Sequence, residues 1–302
     1  MPDHGLPAEC VINVSEGRNR PTIEALRADG GDHLLDVHSD PEHNRSVLTL
    51  GGPLDAVADG ARRIVATAVE RIDLRTHRGI HPRLGAADVV PFVPLAHQGP
   101  GDPVWDQVLE ARTHLARWAG DQLQLPCFLY GPERSLPEVR RRAFTSLDPD
   151  TGPRVAHPTA GASAVGARPV MIAYNVWIGE DPERGAEMEG PSPLSVARSL
   201  AAQLRGPSVR SLGLAVEAGA QVSFNLIDPN AISVADVYDA VATGAESSGC
   251  RVLRGELVGL VPAATLAAIP RGRWPELDLT EDRTIEGRME DLRLPIASDG
   301  AV

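Results

Sequence analysis

The stretch His77-Arg78-Gly79-Ile80-His81-Pro82-Arg83-Leu84-Gly85-Ala86-Ala87-Asp88 gathers residue types that core packing does not require. Two imidazoles that can give and take a proton near neutral pH stand among arginines that can hold a carboxylate. The two glycines and the proline interrupt any regular element, and the run leads straight into the apolar Val89-Val90-Pro91-Phe92. It reads as a loop where a helix hands over to an interior strand, a place where a rigid frame presents reactive side chains. General acid/base work by histidine is one chemistry for such a loop. A connector whose histidines cap backbone groups is a second reading. A metal held by His77, His81 and Asp88 is a third, because imidazoles four residues apart share a helix face. Gly79 and Pro82 oppose that helix, so no metal is expected.

Three further segments carry polar groups in positions suited to binding. His38-Ser39-Asp40-Pro41-Glu42-His43-Asn44-Arg45 forms a turn between two strand signals, with Arg45 as a carboxylate clamp and Asn44 as an amide reader, or simply a solvated turn. Ser15-Glu16-Gly17-Arg18-Asn19 leads a strand into a helix start, where amides and Arg18 can receive an anion. Gly152-Pro153-Arg154-Val155-Ala156-His157-Pro158-Thr159-Ala160-Gly161 has the backbone freedom to lie along a flat ligand, and equally to serve as a plain linker.

Composition narrows the chemistry. The formal net charge is −12, and no positive stripe is present for a nucleic acid. The sequence contains no lysine, which excludes a lysine Schiff base and the Gly-Lys-Ser/Thr phosphate loop. Arginine forks must therefore hold any carboxylate substrate. Cys10, Cys127 and Cys250 sit far apart among apolar residues and read as buried reduced thiols. Met1-Pro2-Asp3-His4-Gly5 opens no basic leader, and no apolar run is long enough for a membrane helix, so a cytoplasmic protein is expected.

The elements that must position these groups alternate between strand and helix periodicity. Glu9 to Ser15, His33 to Ser39, Ser46 to Leu50 and Asp88 to Leu95 read as strands. One helix follows Pro21, and a second carries Val57, Ala61, Ile64, Val65 and Ala68 on one face. A third helix runs through Val108 and Leu115, before a short strand at Pro126 to Tyr130. The pattern dissolves into proline and glycine after Gly131 and restarts near Pro169 as strand, helix, hairpin, helix and strand, with Ser233 and Asp236 as a capping box. The fold class is thus an α/β (α+β) sandwich of two ferredoxin-like βαββαβ subdomains joined by a linker. The bounds are residues 1–131 for the N-terminal subdomain, 132–168 for the linker, 169–270 for the C-terminal subdomain and 271–302 for a polar tail.

The run His77 to Pro94 resembles the glutamate formiminotransferases of histidine degradation, as do Cys10 to Asn19, Leu35-Asp36-Val37, Gly161 to Arg168 and Gly255 to Pro262. The likeness spans about Glu9 to Leu266, and its His-Pro-Arg-x-Gly-Ala-x-Asp core is specific. It implies a transferase of two subdomains, usually dimeric, that binds tetrahydrofolate as co-substrate between its halves and needs no metal. The reaction implied moves a formimino group from N-formimino-L-glutamate to N5 of tetrahydrofolate. It places the catalytic histidine at His81 and the folate-contacting loop at Gly152 to Gly161. The chain is too short to include the cyclodeaminase fused to vertebrate relatives, so that activity is expected on a separate protein. Arg45 and Arg83, with Asn44 and His38, are the candidate substrate-binding residues.

Ile80 stands where the resemblance leads us to expect a glutamate, and His38 where it leads us to expect an aspartate. These two positions keep other readings open: a family member that uses 5-formyltetrahydrofolate or another formimino donor, and a folate-binding protein without turnover. His38, if within reach of His81, would assist the second proton transfer.

Overall fold

Alternating burial along each strand and a 3.6-residue apolar repeat along each helix sort the chain into layers. The computed structural model describes residues 5–95, 102–182 and 190–295. The first four residues of the chain and the last seven of the tail lie outside them. The chain divides into two units, one running to Pro169 and including a terminal piece from Arg288, the other Val170–Gly287.

The first unit runs β1 (Pro7–Val14), α1 (Arg20–Gly30), β2 (Leu34–Asp40), β3 (Arg45–Pro53), α2 (Leu54–Arg71), β4 (Ala87–Pro94), α3 (Pro103–Leu123), β5 (Cys127–Tyr130), α4 (Leu136–Arg142) and β6 (Ser163–Ala167). Asn19 caps α1 by accepting from the Thr22 amide at 3.1 Å, and the proline behind it costs no hydrogen bond in the first turn. The sheet order is β2-β3-β1-β4-β6-β5. Its first four strands pair antiparallel, while β6 pairs parallel with both β4 and β5. Cys10, Ile12, Leu48, Leu50, Val90 and Phe92 face Val57, Ile64, Val65 and Leu115 of α2 and α3 in one core. Val139 of α4 joins Val89, Phe128, Tyr130 and Ala164 in a separate cluster.

The second unit runs β7 (Ile172–Glu180), α5 (Pro193–Leu204), β8 (Val209–Val216), β9 (Gly219–Leu226), α6 (Val234–Ser247) and β10 (Cys250–Val258), with sheet order β10-β7-β9-β8. All three ladders are antiparallel. Ser233 and Asp236 form the expected capping box, each accepting from the other's amide at 3.2 and 2.8 Å. Both units therefore carry the βαββαβ order read from the sequence.

Two boundaries differ from that reading. Residues 132–168 are not a bare linker: they contain α4 and β6, and β6 lies inside the first sheet, where its parallel partners require a crossover rather than a hairpin. Proline and glycine there mark turns between short elements. The residues after Pro270 are not simply a tail either. Leu277 and Leu279 are buried in the second core, and the Leu277 carbonyl accepts from the Tyr174 hydroxyl at 3.1 Å. Cys10, Cys127 and Cys250 are buried and form no disulfide. Among the described residues, no helix is long and apolar enough to cross a membrane.

Candidate active site

The end of β1, the turn between β2 and β3, and the loop before β4 converge on one recess in the first unit. Ser15, His43, Asn44, Arg45, His77, His81 and Arg83 line a small recess with a cavity volume of about 10 Å³, on the scale of a single water.

Backbone contacts hold the three segments together. Ser15 is tied to the β4 approach twice, its amide donating to Ala86 O and its hydroxyl to Gly85 O, both at 2.8 Å. Asn44 has φ 48°, in the left-handed region that asparagine tolerates. Its side chain accepts from the Gly17 amide at 2.9 Å and donates to Arg78 O at 3.0 Å, bridging all three segments. His77 is buried and its Nε2 lies 2.9 Å from Asn44 O.

His81 Nδ1 lies 2.7 Å from the Pro82 carbonyl and 2.5 Å from Arg45 Nη1. A carbonyl only accepts and a guanidinium only donates, so Nδ1 can satisfy one of them. With Nδ1–H given to Pro82 O, Nε2 keeps a lone pair, 3.4 Å from Arg45 Nη1. Burial, reinforced by the Arg45 charge, holds the His81 pKa well below the usual histidine value. The ring is therefore neutral near pH 7. The His43 ring stands edge-on to it at 5.9 Å between centroids.

Arg45 is fixed by Asn13, whose side-chain oxygen accepts from its Nε at 3.0 Å and from its Nη2. Its Nη1 lies 3.5 Å from Asp88 Oδ2. Burial brings the Arg45 pKa down to about 10, against the opposing pull of Asp88, so it stays a cation at neutral pH. Asp88, 2% exposed at its side chain, also pairs with Arg140 Nη2 at 2.7 Å and accepts from the Leu84 amide at 2.5 Å. Burial alone would raise its pKa. Arg140 and Arg45 outweigh that and hold it below the ordinary carboxylate value. The β1–β4 register explains its position: Asn13 pairs with Val89 and Val14 with Ala87, so Asp88 is the extra residue of a β-bulge, which re-aims its side chain.

Of the sequence candidates, the fold gathers His81, Arg45, Arg83 and Asn44 at the recess. Among the described residues, Arg83 makes long contacts, to Gly79 O at 3.4 Å and His77 O at 3.3 Å. His38 is not among the lining residues. It sits in β2 and pairs with Val47, two positions along the ladder from the Asp40–Arg45 pair. Of the three residues considered for a metal, Asp88 is paired with two arginines and His77 Nε2 faces the Asn44 carbonyl.

The loop Gly152 to Gly161 closes on itself, with His157 and Gly161 exchanging amide bonds at 2.7 and 3.0 Å and His157 Nδ1 accepting from the Ala160 amide. Its end reaches the loop before β4, where the Ala86 amide donates to Ala160 O at 2.8 Å. Gly85 and Gly161 pair there, and a Cβ on Gly85 would come 1.8 Å from Ala162 O, so only glycine permits the approach. Arg154 and Val155 are exposed at the loop's other end. Asn13 and Arg140 were missed as site residues. Arg140 stood in a segment read as linker, and its only signal was the capped start Ser135-Leu136-Pro137-Glu138.

Residues 7–168 match the family model described as the formiminotransferase domain, N-terminal subdomain, and residues 174–272 match the formiminotransferase domain. The chain belongs to the formiminotransferase family. The glutamate formimidoyltransferase of Streptococcus pyogenes serotype M1 is 34% identical over 284 residues, 85% of this chain and 90% of that protein. The one from Thermoplasma acidophilum is 32% identical over 310 residues, covering 93% and 97%. The formimidoyltransferase-cyclodeaminase of Rattus norvegicus is 34% identical over 286 residues, but only 50% of its length is matched. As a formiminotransferase, the chain aligns with the stand-alone relatives nearly end to end.

Proposed function

We infer that this protein transfers the formimino group of N-formimino-L-glutamate to N5 of tetrahydrofolate, releasing glutamate and 5-formiminotetrahydrofolate. The observation that carries the reading is a neutral histidine, His81, in a recess edged by Arg45 and Arg83, within a chain of this family. His81 Nε2 takes the proton of N5 as N5 bonds to the formimino carbon, and returns it to the glutamate nitrogen as that bond breaks. Such help is typically worth ~10² to 10⁴ in rate. Arg83, with Arg45 behind it, is suited to a substrate carboxylate. The exposed end of the 152–161 loop, adjoining His81 through residues 84–86, is suited to the flat body of the folate.

The reading extends to a cytoplasmic homodimer whose product passes to a separate cyclodeaminase. Buried free thiols support the reducing compartment, and the stand-alone relatives support the division of labour. Incubation with tetrahydrofolate and a panel of formimino donors, followed by the absorbance of the folate product, tests it. Turnover with N-formimino-L-glutamate is expected to exceed that with other amino-acid donors. Absence of product with every donor would sink the reading.

A further inference from the structure

His81 Nδ1 has two neighbours that make opposite demands of it, the Pro82 carbonyl at 2.7 Å and Arg45 Nη1 at 2.5 Å. A single guanidinium bears on both. Arg140 reaches in from α4, a helix capped by Ser135 and anchored by the buried Val139 beside Phe128 and Tyr130. Its Nη1 donates to Pro82 O at 3.3 Å. Its Nη2 donates at 2.7 Å to Asp88 Oδ2, the same oxygen that lies 3.5 Å from Arg45 Nη1. Pro82 O has two lone pairs, so it can accept from Arg140 and from the ring together. The Asp88 side chain is 2% exposed and that of Arg140 24%, so solvent screens the contact little. Arg140 itself is not among the residues that line the recess.

We propose that Arg140 is a positioning residue for His81: it holds the Pro82 carbonyl against Nδ1 and, through the shared Asp88, the Arg45 guanidinium beside it, and so sets which ring nitrogen carries the proton. With Pro82 O held in place, the proton stays on Nδ1 and Nε2 presents its lone pair. Without that hold, Arg45 has the stronger claim on Nδ1 and the proton moves to Nε2. The planar fork of an arginine suits the task, because it meets a carbonyl and a carboxylate at once, whereas an ammonium is a point charge. The charged and titratable groups around the ring are Arg45 from β3, Asp88 from β4 and Arg140 from α4, with the His43 ring edge-on from the β2–β3 turn. Burial is the main cause of the lowered His81 pKa and Arg45 the next. The Pro82 carbonyl and Asp88 pull it upward, and Arg140 adds to the lowering. The inference rests on His81 serving the transfer reaction proposed above.

The test compares Arg140→Met and Arg140→Lys with the wild type, using N-formimino-L-glutamate and tetrahydrofolate. Methionine removes both the fork and the charge. Lysine keeps a cation beside Asp88 but cannot bond the carboxylate and the carbonyl at once. In Arg140→Met, kcat is expected to fall about 10- to 100-fold, the scale of a small misplacement at the reacting centre, with KM for both substrates nearly unchanged. The acidic limb of its pH–rate profile should move upward, because a charge that opposes protonation of His81 has gone. In Arg140→Lys the limb stays in place and part of kcat returns. Wild-type kcat in Arg140→Met, an equal change in KM, or a limb that does not move would overturn the proposal. A second measurement is independent of turnover: ¹⁵N NMR of the intact protein at neutral pH reads which nitrogen of His81 carries the proton. The wild type is expected to hold it on Nδ1 and Arg140→Lys to show a larger share on Nε2. The same tautomer in both overturns the proposal equally. If the wild type turns over no formimino donor, the functional reading fails by itself and the ring measurement still decides this one.

Discussion

In the second unit the four strands β10-β7-β9-β8 are the whole sheet, whereas in the first the equivalent arrangement β2-β3-β1-β4 continues into β6 and β5. The recess lies where that continuation begins. A bulge at Asp88, a parallel partner for β4 and the crossover through α4 all meet there, and α4 brings Arg140 to Asp88. The second unit has polar groups on its sheet as well, but they are matched among themselves. Asn175, Trp177 and Gln221 all donate to Glu256 Oε2, at 3.0, 2.9 and 3.4 Å, and Arg254 stacks over Trp177 at 4.1 Å. None of the nine histidines lies beyond residue 157. One strand order thus serves two ends: carboxylate and donors satisfy each other in the second unit, while in the first the fixed charges restrain a neutral base.

The sharpest way to break that contrast is His81→Ala. Turnover is expected to fall by ~10² to 10⁴ with folate affinity largely kept, because acid/base help acts on the transition state. Equal loss of affinity and turnover in steady-state and binding measurements would make His81 a positioning residue instead. Asp88→Asn comes next. It leaves Arg45 and Arg140 together without their buried counter-charge, which is expected to cost about 3–5 kcal/mol of stability in the first unit. Glu256→Ala is expected to cost less, about 1–3 kcal/mol, by leaving neutral donors unmatched in the second unit. Urea unfolding followed by hydrogen exchange distinguishes these two, since each variant should loosen its own unit first. Loosening of the same unit by both would contradict the contrast.

The smallest effect concerns Ile80, which is 41% exposed beside His81. In the proposed role His81 acts as a base when neutral, so the rate should rise with pH through its pKa. Because burial and Arg45 lower that pKa, the acidic limb of the pH–rate profile is expected below 6.5. Ile80→Glu adds a negative charge that favours the protonated ring, and should move the limb upward by less than about one unit, given solvent screening. An unmoved limb would mean that residue 80 is not electrically coupled to His81.

Most of this contrast is visible in the sequence wherever a signal is local. The periodicity of α2, the apolar run of β4 and the Ser233–Asp236 box each identify an element from within a few residues. The loop from His77 to Asp88 stands out for the same reason. Asn13, Arg140 and the place of β6 were hidden because their meaning is non-local: Asn13 matters through Arg45, 32 residues on, and Arg140 through Asp88, 52 residues back. β6 is five residues of small side chains, Ser163–Ala167, and only parallel partners on both sides make it a strand. His38 pairs with Val47, two positions along the ladder from the Asp40–Arg45 pair and on the same face of the sheet, but is not among the residues that line the recess.

The three buried thiols make the molecule its own reporter. Cys10 lies on the central strand β1 and Cys127 at the start of β5, while Cys250 opens β10 in the other unit. Burial raises the pKa of Cys10 well above the free thiol and that of Cys127 to about 12, so neither reacts as a thiolate while its unit stays closed. A thiol-directed reagent applied under native conditions therefore records openings rather than surface chemistry. The mass of each labelled peptide reads the excursions of the two halves separately, with no label engineered into either.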